Sequence, residues 1–316
     1  MANKEEVRSL RERVGIMVTS TDTTKLVEIE DAGVDHVWVA TGPLFSADLL
    51  TTLAAALART SRLKLGTSIV QVTSRHPVFM AQQVLSLNNL APGRLKLGIG
   101  TGALDQAKNI YGTEVKAPLT YLREYIQVLR PLLQQGEVHH QGSYFTTNVS
   151  LQSSSQVPLL ISALGPGAFR LAGEVADGAL SFMCPVPYLL NTALPALSAG
   201  AEAVGRPRPP VVAHVPLAFT EDRASGLQAG RQAMSFYATR PAYHNMFMAA
   251  GFSEQEINPV SDRLIESLLV FGDESKVKDR LLEILSTGID ALAITLIPVS
   301  DAVQEGGRLA QLIGHL

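Results

Sequence analysis

Residues 63–102 read LKLGTSIVQVTSRHPVFMAQQVLSLNNLAPGRLKLGIGTG. An apolar run, LKLGTSIV (63–70), turns polar at its carboxyl end and passes through Arg75-His76-Pro77. It restarts as the helical pattern VFMAQQVLSLNNL (78–90), which yields to a second apolar run, RLKLGIG (94–100). Short apolar runs without strict polar alternation are strands covered on both faces, as in parallel sheets packed between helices. Pro77 suits the first turn of a helix, where its missing N–H would be an orphan in any case. The stretch is one strand-helix-strand unit.

That unit repeats outward in both directions. VGIMVT (14–19) and HVWVAT (36–41) precede it, and PLLISAL (158–164), GALSFM (178–183), VVAHVPLAF (211–219) and ALAITLI (291–297) follow. Helical patterns come after each strand, at 23–33, 47–60, 78–90, 119–135, 166–176, 188–205, 221–238 and 303–314. Eight such repeats predict an α/β fold, a (β/α)8 TIM barrel closed on itself. Three insertions interrupt the repeat: 101–118, the hairpin-like VHHQGSYFTTNVSLQ (138–152), and a long excursion from about 238 to 275. No linker or low-complexity segment divides the chain, so residues 1–316 are expected to form a single domain.

With 316 residues, 46% hydrophobic and 17% charged, the chain has the length and apolar content for a large core. A net charge of -3 with scattered Lys and Arg gives no footprint for nucleic acid. The opening MANKEEVRSLRERVG lacks the apolar core of a signal peptide, and no apolar stretch approaches the roughly 18 residues of a membrane span. A cytoplasmic protein without membrane contact is the expectation. Cys184, the one cysteine, excludes an internal disulfide and reads as a small core residue. No metal site is expected: His139 and His140 have no carboxylate or cysteine at ligand spacing, and they read as surface residues of the hairpin.

In a barrel of this kind the loops at the carboxyl ends of the strands converge on one mouth, where chemistry sits. Polar residues from Ser68 to His76 fit that position, although Arg75 and His76 could equally solvate a loop and cap a helix. Strand four ends in Gly98-Ile99-Gly100-Thr101-Gly102, where missing side chains let a ligand approach the backbone. Strand five ends in Gly165-Pro166-Gly167 at the start of a helix, which offers free N–H groups to a phosphate or is simply an ordinary turn. His214 interrupts an apolar strand and is either a satisfied core histidine or a group facing the lumen. Asp31, Asp35, Asp177 and Asp290 fall at the opposite end of the barrel and read as stabilising.

The block 63–102 resembles the bacterial luciferase-like family of flavin and deazaflavin oxidoreductases. LGT, RHP with its A-Q helix, GRLKLGIG, YLREYIQVLRPLL (121–133) and GPGAFRLAGEVADG (165–178) occur in the family's order. The resemblance implies a barrel with inserted loops, a homodimer, and a non-proline cis peptide at Ser68-Ile69 that supports the cofactor ring. It implies that the cofactor phosphate lies against Gly100, Thr101 and Gly102 and against Gly165, Pro166 and Gly167. Thr101 stands where luciferase carries an Arg. The pattern is thereby closer to reductases that use the deazaflavin coenzyme F420, such as methylenetetrahydromethanopterin reductase, with FMN as the alternative cofactor.

Thr41 stands where relatives carry a His after strand two, and Ala103 replaces an acid of the glucose-6-phosphate-oxidising relatives. Without those acid-base groups, hydride transfer to or from a small organic substrate would rest on holding two ring systems in register. Thr41 and His214 are then the candidate catalytic groups. Tyr243, Met246, Phe247, Met248 and Phe252 would form either an apolar cover over the substrate or core packing. The alternatives are an FMN-dependent monooxygenase and a non-catalytic flavin-binding protein.

Overall fold

The structure, a computed structural model, describes residues 10–19, 22–40 and 47–316. Among these, eight parallel strands close a barrel: β1 (Val14–Val18), β2 (His36–Val39), β3 (Lys64–Thr67), β4 (Leu95–Gly100), β5 (Leu159–Ser162), β6 (Gly178–Leu180), β7 (Val211–Phe219) and β8 (Ala291–Leu296). The strands run in chain order. β8 returns to β1 at Leu292↔Val14, while β7 closes the ring on β6 at Val211↔Ala179 and on β8 at His214↔Ala293.

Alternation along the strands explains why they read as continuous apolar runs. Met17, Trp38, Leu160, Leu180, Val212 and Ala293, each from a different strand, fill the lumen. Their neighbours Ile16, Val37, Leu65, Leu97, Ile161 and Ile294 face the helices and join the main core. Ile69 and Phe182 lie partly buried on the lumen cluster.

Carboxylates hold the amino-terminal end together. Asp177 accepts the Leu159 N–H at 2.9 Å and pairs with Arg130 at 3.1 Å. Asp290 accepts the Val211 N–H at 2.9 Å and a two-pronged contact from Arg208 at 2.7 and 3.0 Å. Asp35 pairs with Arg62 at 3.0 Å.

Two expectations change. The connection from β7 to β8 holds the expected helix Arg223–Ala238, but also Glu274–Ser286, a helix that the repeat count omits. Its stripe Val277, Leu281, Ile284 and Leu285 is buried, and Asp273 caps its start by accepting the Lys276 N–H at 2.8 Å. In the hairpin, Glu137–Gln141 pairs with Thr146–Ser150 as expected, yet His140 is not a surface residue. Its side chain is 15% exposed and lies 3.9 Å from Glu124, whose carboxylate accepts the N–H groups of Ser143 and Tyr144 at 3.1 and 2.8 Å and so anchors the hairpin tip.

No helix among the described residues is long and apolar enough to cross a membrane.

Candidate active site

The polar ending of β3 has a structural cause that the registers expose. Gly66 pairs with Lys96, an offset of 30, whereas Val70 pairs with Ile99, an offset of 29. One extra residue has therefore entered the β3 side, which defines a bulge. Thr67 fills the interrupted ladder with its side chain: its hydroxyl donates to the Gly98 carbonyl at 2.7 Å and accepts the Gly98 N–H at 2.8 Å. The Ser68–Ile69 peptide beyond it is cis, the geometry that the resemblance implies for that bond.

After the bulge, Val72–Ser74 forms a short turn of helix whose backbone is held from outside. The Tyr125 hydroxyl donates to the Arg75 carbonyl at 3.2 Å, and the Thr113 hydroxyl to the Thr73 carbonyl at 3.0 Å. His76 caps the helix Pro77–Leu90 by accepting the Val78 N–H at 3.3 Å, and burial lowers its pKa. Arg75 pairs with Asp48 at 2.6 Å. Burial would raise the Asp48 carboxyl, but the Thr51 N–H and the Arg75 guanidinium outweigh it and hold the group below its ordinary value. The bland reading thus accounts for His76, a helix cap, whereas only Nη2 of Arg75 is paired and its buried Nη1 has no partner among the described residues.

The glycines of β4 form a cradle against this bulge. A Cβ on Gly100 would lie 2.6 Å from Ile69 Cδ1 and 3.0 Å from Ser162 Cβ, so the ends of β3, β4 and β5 meet at that point. Gly102 has φ +65°, and a Cβ there would lie 2.7 Å from the Gln71 side chain. Thr101 is half-buried, and its carbonyl accepts the Thr73 hydroxyl at 3.3 Å. One strand further, Gly165 caps the ten-residue helix Pro166–Val175 with no side chain bonded to its first turn. A Cβ on Gly165 would meet nothing within 4 Å, while one on Gly167 would meet only Leu119. Ser68, Ile69, Gly100, Thr101 and Gly102 therefore share one surface, with Gly165, Pro166 and Gly167 on the adjoining strand-helix turn. Pro166 has no N–H and Ala168 donates to the Gly165 carbonyl at 3.0 Å, so the Gly167 N–H is the free donor of the first turn, and with room for an anion beside it the helix start fits a cofactor phosphate. Thr41 lies outside the described residues.

The far side of the mouth is built from side chains. His214 is 2% exposed and shares the lumen face of β7 with Val212. Its ring stacks on Phe182 with centroids 4.0 Å apart at 19°. Nδ1 accepts the Met183 N–H at 3.3 Å, and Nε2 lies 2.9 Å from the Thr295 hydroxyl on β8. Met183 is in the left-handed region at φ 53°. Complete burial pushes the His214 pKa down to about 3, so the ring is neutral throughout the physiological range. Both readings of this histidine hold together: its nitrogens are satisfied, and it faces the lumen.

Phe182 continues into Tyr237 at 5.1 Å, and Tyr237 into Tyr243 at 5.1 Å, forming a wall of rings. Of the five residues expected to cover the substrate, Tyr243 alone belongs to this wall. Met246, Phe247 and Phe252 are buried in the main core and Met248 is exposed, which resolves that stretch mostly as packing. Cys184 is buried with its thiol pushed up to about 12, an inert core group. Among the described residues no group of three or more His, Cys, Asp or Glu side chains could hold a metal ion.

Phe182, Tyr237 and Thr295 are the residues that the linear reading missed. Thr295 carried the same signal as Ser68, a polar residue at the carboxyl end of an apolar strand. Phe182 and Tyr237 carried none, since an aromatic residue ending a strand or helix is ordinary core.

Comparison with known proteins agrees with the geometry. The sequence model of the luciferase-like monooxygenase family matches residues 23–291. An F420-dependent glucose-6-phosphate dehydrogenase of Kineococcus radiotolerans is 34% identical over 65% of this chain, and the match spans 66% of that enzyme, just under two thirds of its length. A 5,10-methylenetetrahydromethanopterin reductase of Methanopyrus kandleri is 26% identical over 87% of this chain and 88% of its own. Among solved structures, an F420-dependent secondary alcohol dehydrogenase in complex with an F420-acetone adduct superposes with a TM-score of 0.78 over 96% of this chain and 97% of that one, at 19% identity. That last likeness establishes the shared fold.

Proposed function

Since the chain belongs to the luciferase-like monooxygenase family, we propose that it is an oxidoreductase that uses the deazaflavin coenzyme F420 to exchange a hydride with a small organic substrate. The observation that carries this reading is the backbone cradle facing an electrically neutral wall. Ser68, Ile69, Gly100, Thr101 and Gly102 would support the cofactor, with Gly165, Pro166 and Gly167 taking its phosphate at an open helix start. Kinship at 34% identity with an F420-dependent glucose-6-phosphate dehydrogenase supports the choice of cofactor.

When bound, the deazaflavin supplies the carbon that gives or receives the hydride. The chain's own contribution is placement and exclusion of water. Phe182, Tyr237 and Tyr243 offer apolar faces, and His214, with its pKa near 3, neither gives nor takes a proton at neutral pH. General acid-base help from His214 is thereby absent, and proximity is the main source of rate. The Arg75–Asp48 pair and the hydroxyls of Tyr121 and Tyr125, which donate to the Val72 and Arg75 carbonyls at 3.5 and 3.2 Å, hold the platform from behind.

Titration of the purified protein with coenzyme F420 and, separately, with FMN tests the reading. Saturable quenching of deazaflavin fluorescence, with weaker binding of FMN, is the expected outcome. Tighter FMN binding with a bound-flavin spectrum and oxygen consumption would replace it with a flavin-dependent monooxygenase, the chemistry in the family's description.

A further inference from the structure

His214 fixes more than its own position. The Met183 N–H can only donate, so Nδ1, which receives it at 3.3 Å, carries no proton. The neutral ring must then hold its proton on Nε2, which donates to the Thr295 hydroxyl oxygen across 2.9 Å. A threonine hydroxyl has a single proton. With its oxygen already accepting, that proton must be donated elsewhere, and among the described residues it finds no acceptor. Thr295 is half-buried at the carboxyl end of β8, two residues beyond the lumen residue Ala293 and on the same face. One backbone N–H and a buried ring thus turn a hydroxyl that could point either way into a donor aimed at the mouth.

The surroundings of that donor are flat and uncharged. Phe182 lies on the other face of His214, and Tyr237 and Tyr243 extend the ring surface. Arg240, the cation carried between those two tyrosines, is engaged elsewhere: it pairs with Asp105 at 3.3 Å and covers the Phe236 ring at 4.4 Å.

We propose that Thr295, oriented by His214, donates a hydrogen bond to the carbonyl oxygen of an uncharged, flat substrate seated against Phe182, Tyr237 and Tyr243. Thr295 is the contacting residue and His214 a positioning residue. A carbonyl oxygen only accepts, and it matches a donor that cannot reverse. A phosphate-bearing substrate would find no free cation in this wall of rings. The assignment rests on the proposed function only in calling the ligand a substrate.

Acetophenone and its deoxygenated analogue ethylbenzene serve as probes, with dissociation constants read by NMR titration of the full chain with and without saturating coenzyme F420. Wild type and Thr295→Ser are expected to bind acetophenone about three- to tenfold tighter than ethylbenzene, the worth of one neutral hydrogen bond. Thr295→Val is expected to bind the two equally and to leave ethylbenzene affinity unchanged. A nitrogen-15 spectrum of labelled histidine should show His214 neutral and protonated on Nε2. An Nδ1-protonated ring, or a carbonyl preference that survives in Thr295→Val, overturns the proposal. So does a loss of F420 affinity in Thr295→Val with the acetophenone preference intact, because the donor would then serve the cofactor. Failure of F420 to bind wild type would instead sink the proposed function, while the probe ratio and the tautomer, both measurable without cofactor, still decide the role of Thr295.

Discussion

The two halves of the barrel mouth are made of different material. On the side of β3, β4 and β5 the surface is backbone: a bulge, a cis peptide, the glycines of β4 and an uncapped helix start. On the side of β6, β7 and β8 it is side chain: Phe182, His214, Thr295 and, from the following helices, Tyr237 and Tyr243. Backbone surfaces accept a constant partner through groups that every residue owns, whereas a side-chain wall can be rewritten one position at a time. The first half therefore suits a cofactor shared across a family, and the second suits whatever distinguishes one member from another.

The comparison is tested most severely by acid. His214 has a pKa near 3 in the folded protein against 6.5 when free. Because the folded value is depressed, its stability contribution is complete above pH 6.5 and is lost as pH falls, since the unfolded chain takes up the proton first. The loss approaches about 1.4 kcal/mol per pH unit, reaching roughly 4 to 5 kcal/mol by pH 3. Denaturant midpoints measured between pH 7 and 4 should fall steeply for wild type and less steeply for His214→Gln. Identical slopes would mean that the wall holds a solvated histidine.

The backbone half breaks at Gly98. A Cβ there would collide with the Thr67 carbonyl oxygen and Leu180, in the same place where the Thr67 hydroxyl bridges both polar groups of Gly98. Neither backbone nor a fully buried Thr67 can yield cheaply. Gly98→Ala should cost about 3 kcal/mol of stability, at the upper end of overpacking, with the thermal or denaturant midpoint as the measure. A cost under about 1 kcal/mol, the lower end of that range, would show that the bulge relaxes, and with it the platform.

These two tests mark where sequence reading succeeded and where it stopped. All eight strands were legible because burial on both faces leaves an uninterrupted apolar run, and the glycine cradle was legible because backbone demands select a residue type. Gly100 and Gly165 announce themselves in one dimension. The His214–Thr295 contact joins residues 81 apart in sequence, so no local pattern could report it. The helix Glu274–Ser286 falls outside a count of one helix per strand, although LSTG (285–288) marks its end in the sequence and Gly288 there takes φ +103°.

A sharper separation of the halves comes from Gly165→Asp. The site is open, φ is an ordinary -85°, and aspartate is a better helix cap than glycine, so the fold should gain a few tenths of a kcal/mol. The same carboxylate would stand where the cofactor phosphate is proposed and should weaken F420 binding by about 1 to 2 kcal/mol, the worth of one charge-assisted hydrogen bond. Opposite signs in the thermal midpoint and in the fluorescence titration are the expected signature. Unchanged affinity in a folded variant would remove the phosphate assignment.

The smallest effects are expected from the two candidate catalytic groups, Thr41 and His214. A threonine hydroxyl does not titrate near neutrality, so Thr41→Val removes at most one neutral hydrogen bond, about 0.5 to 1.5 kcal/mol, which is roughly tenfold or less in rate. His214→Gln retains an acceptor and a donor on one side chain and should slow the reaction no further, because a ring already neutral at pH 7 was transferring no proton. Single-turnover reduction or oxidation of bound F420, followed by absorbance for each variant, measures both. General acid-base catalysis normally contributes about a hundredfold or more. A thousandfold fall in either variant would show that general acid-base catalysis operates and would move the reading toward alcohol oxidation. Losses near tenfold would leave placement against the two halves of the mouth as the main source of rate.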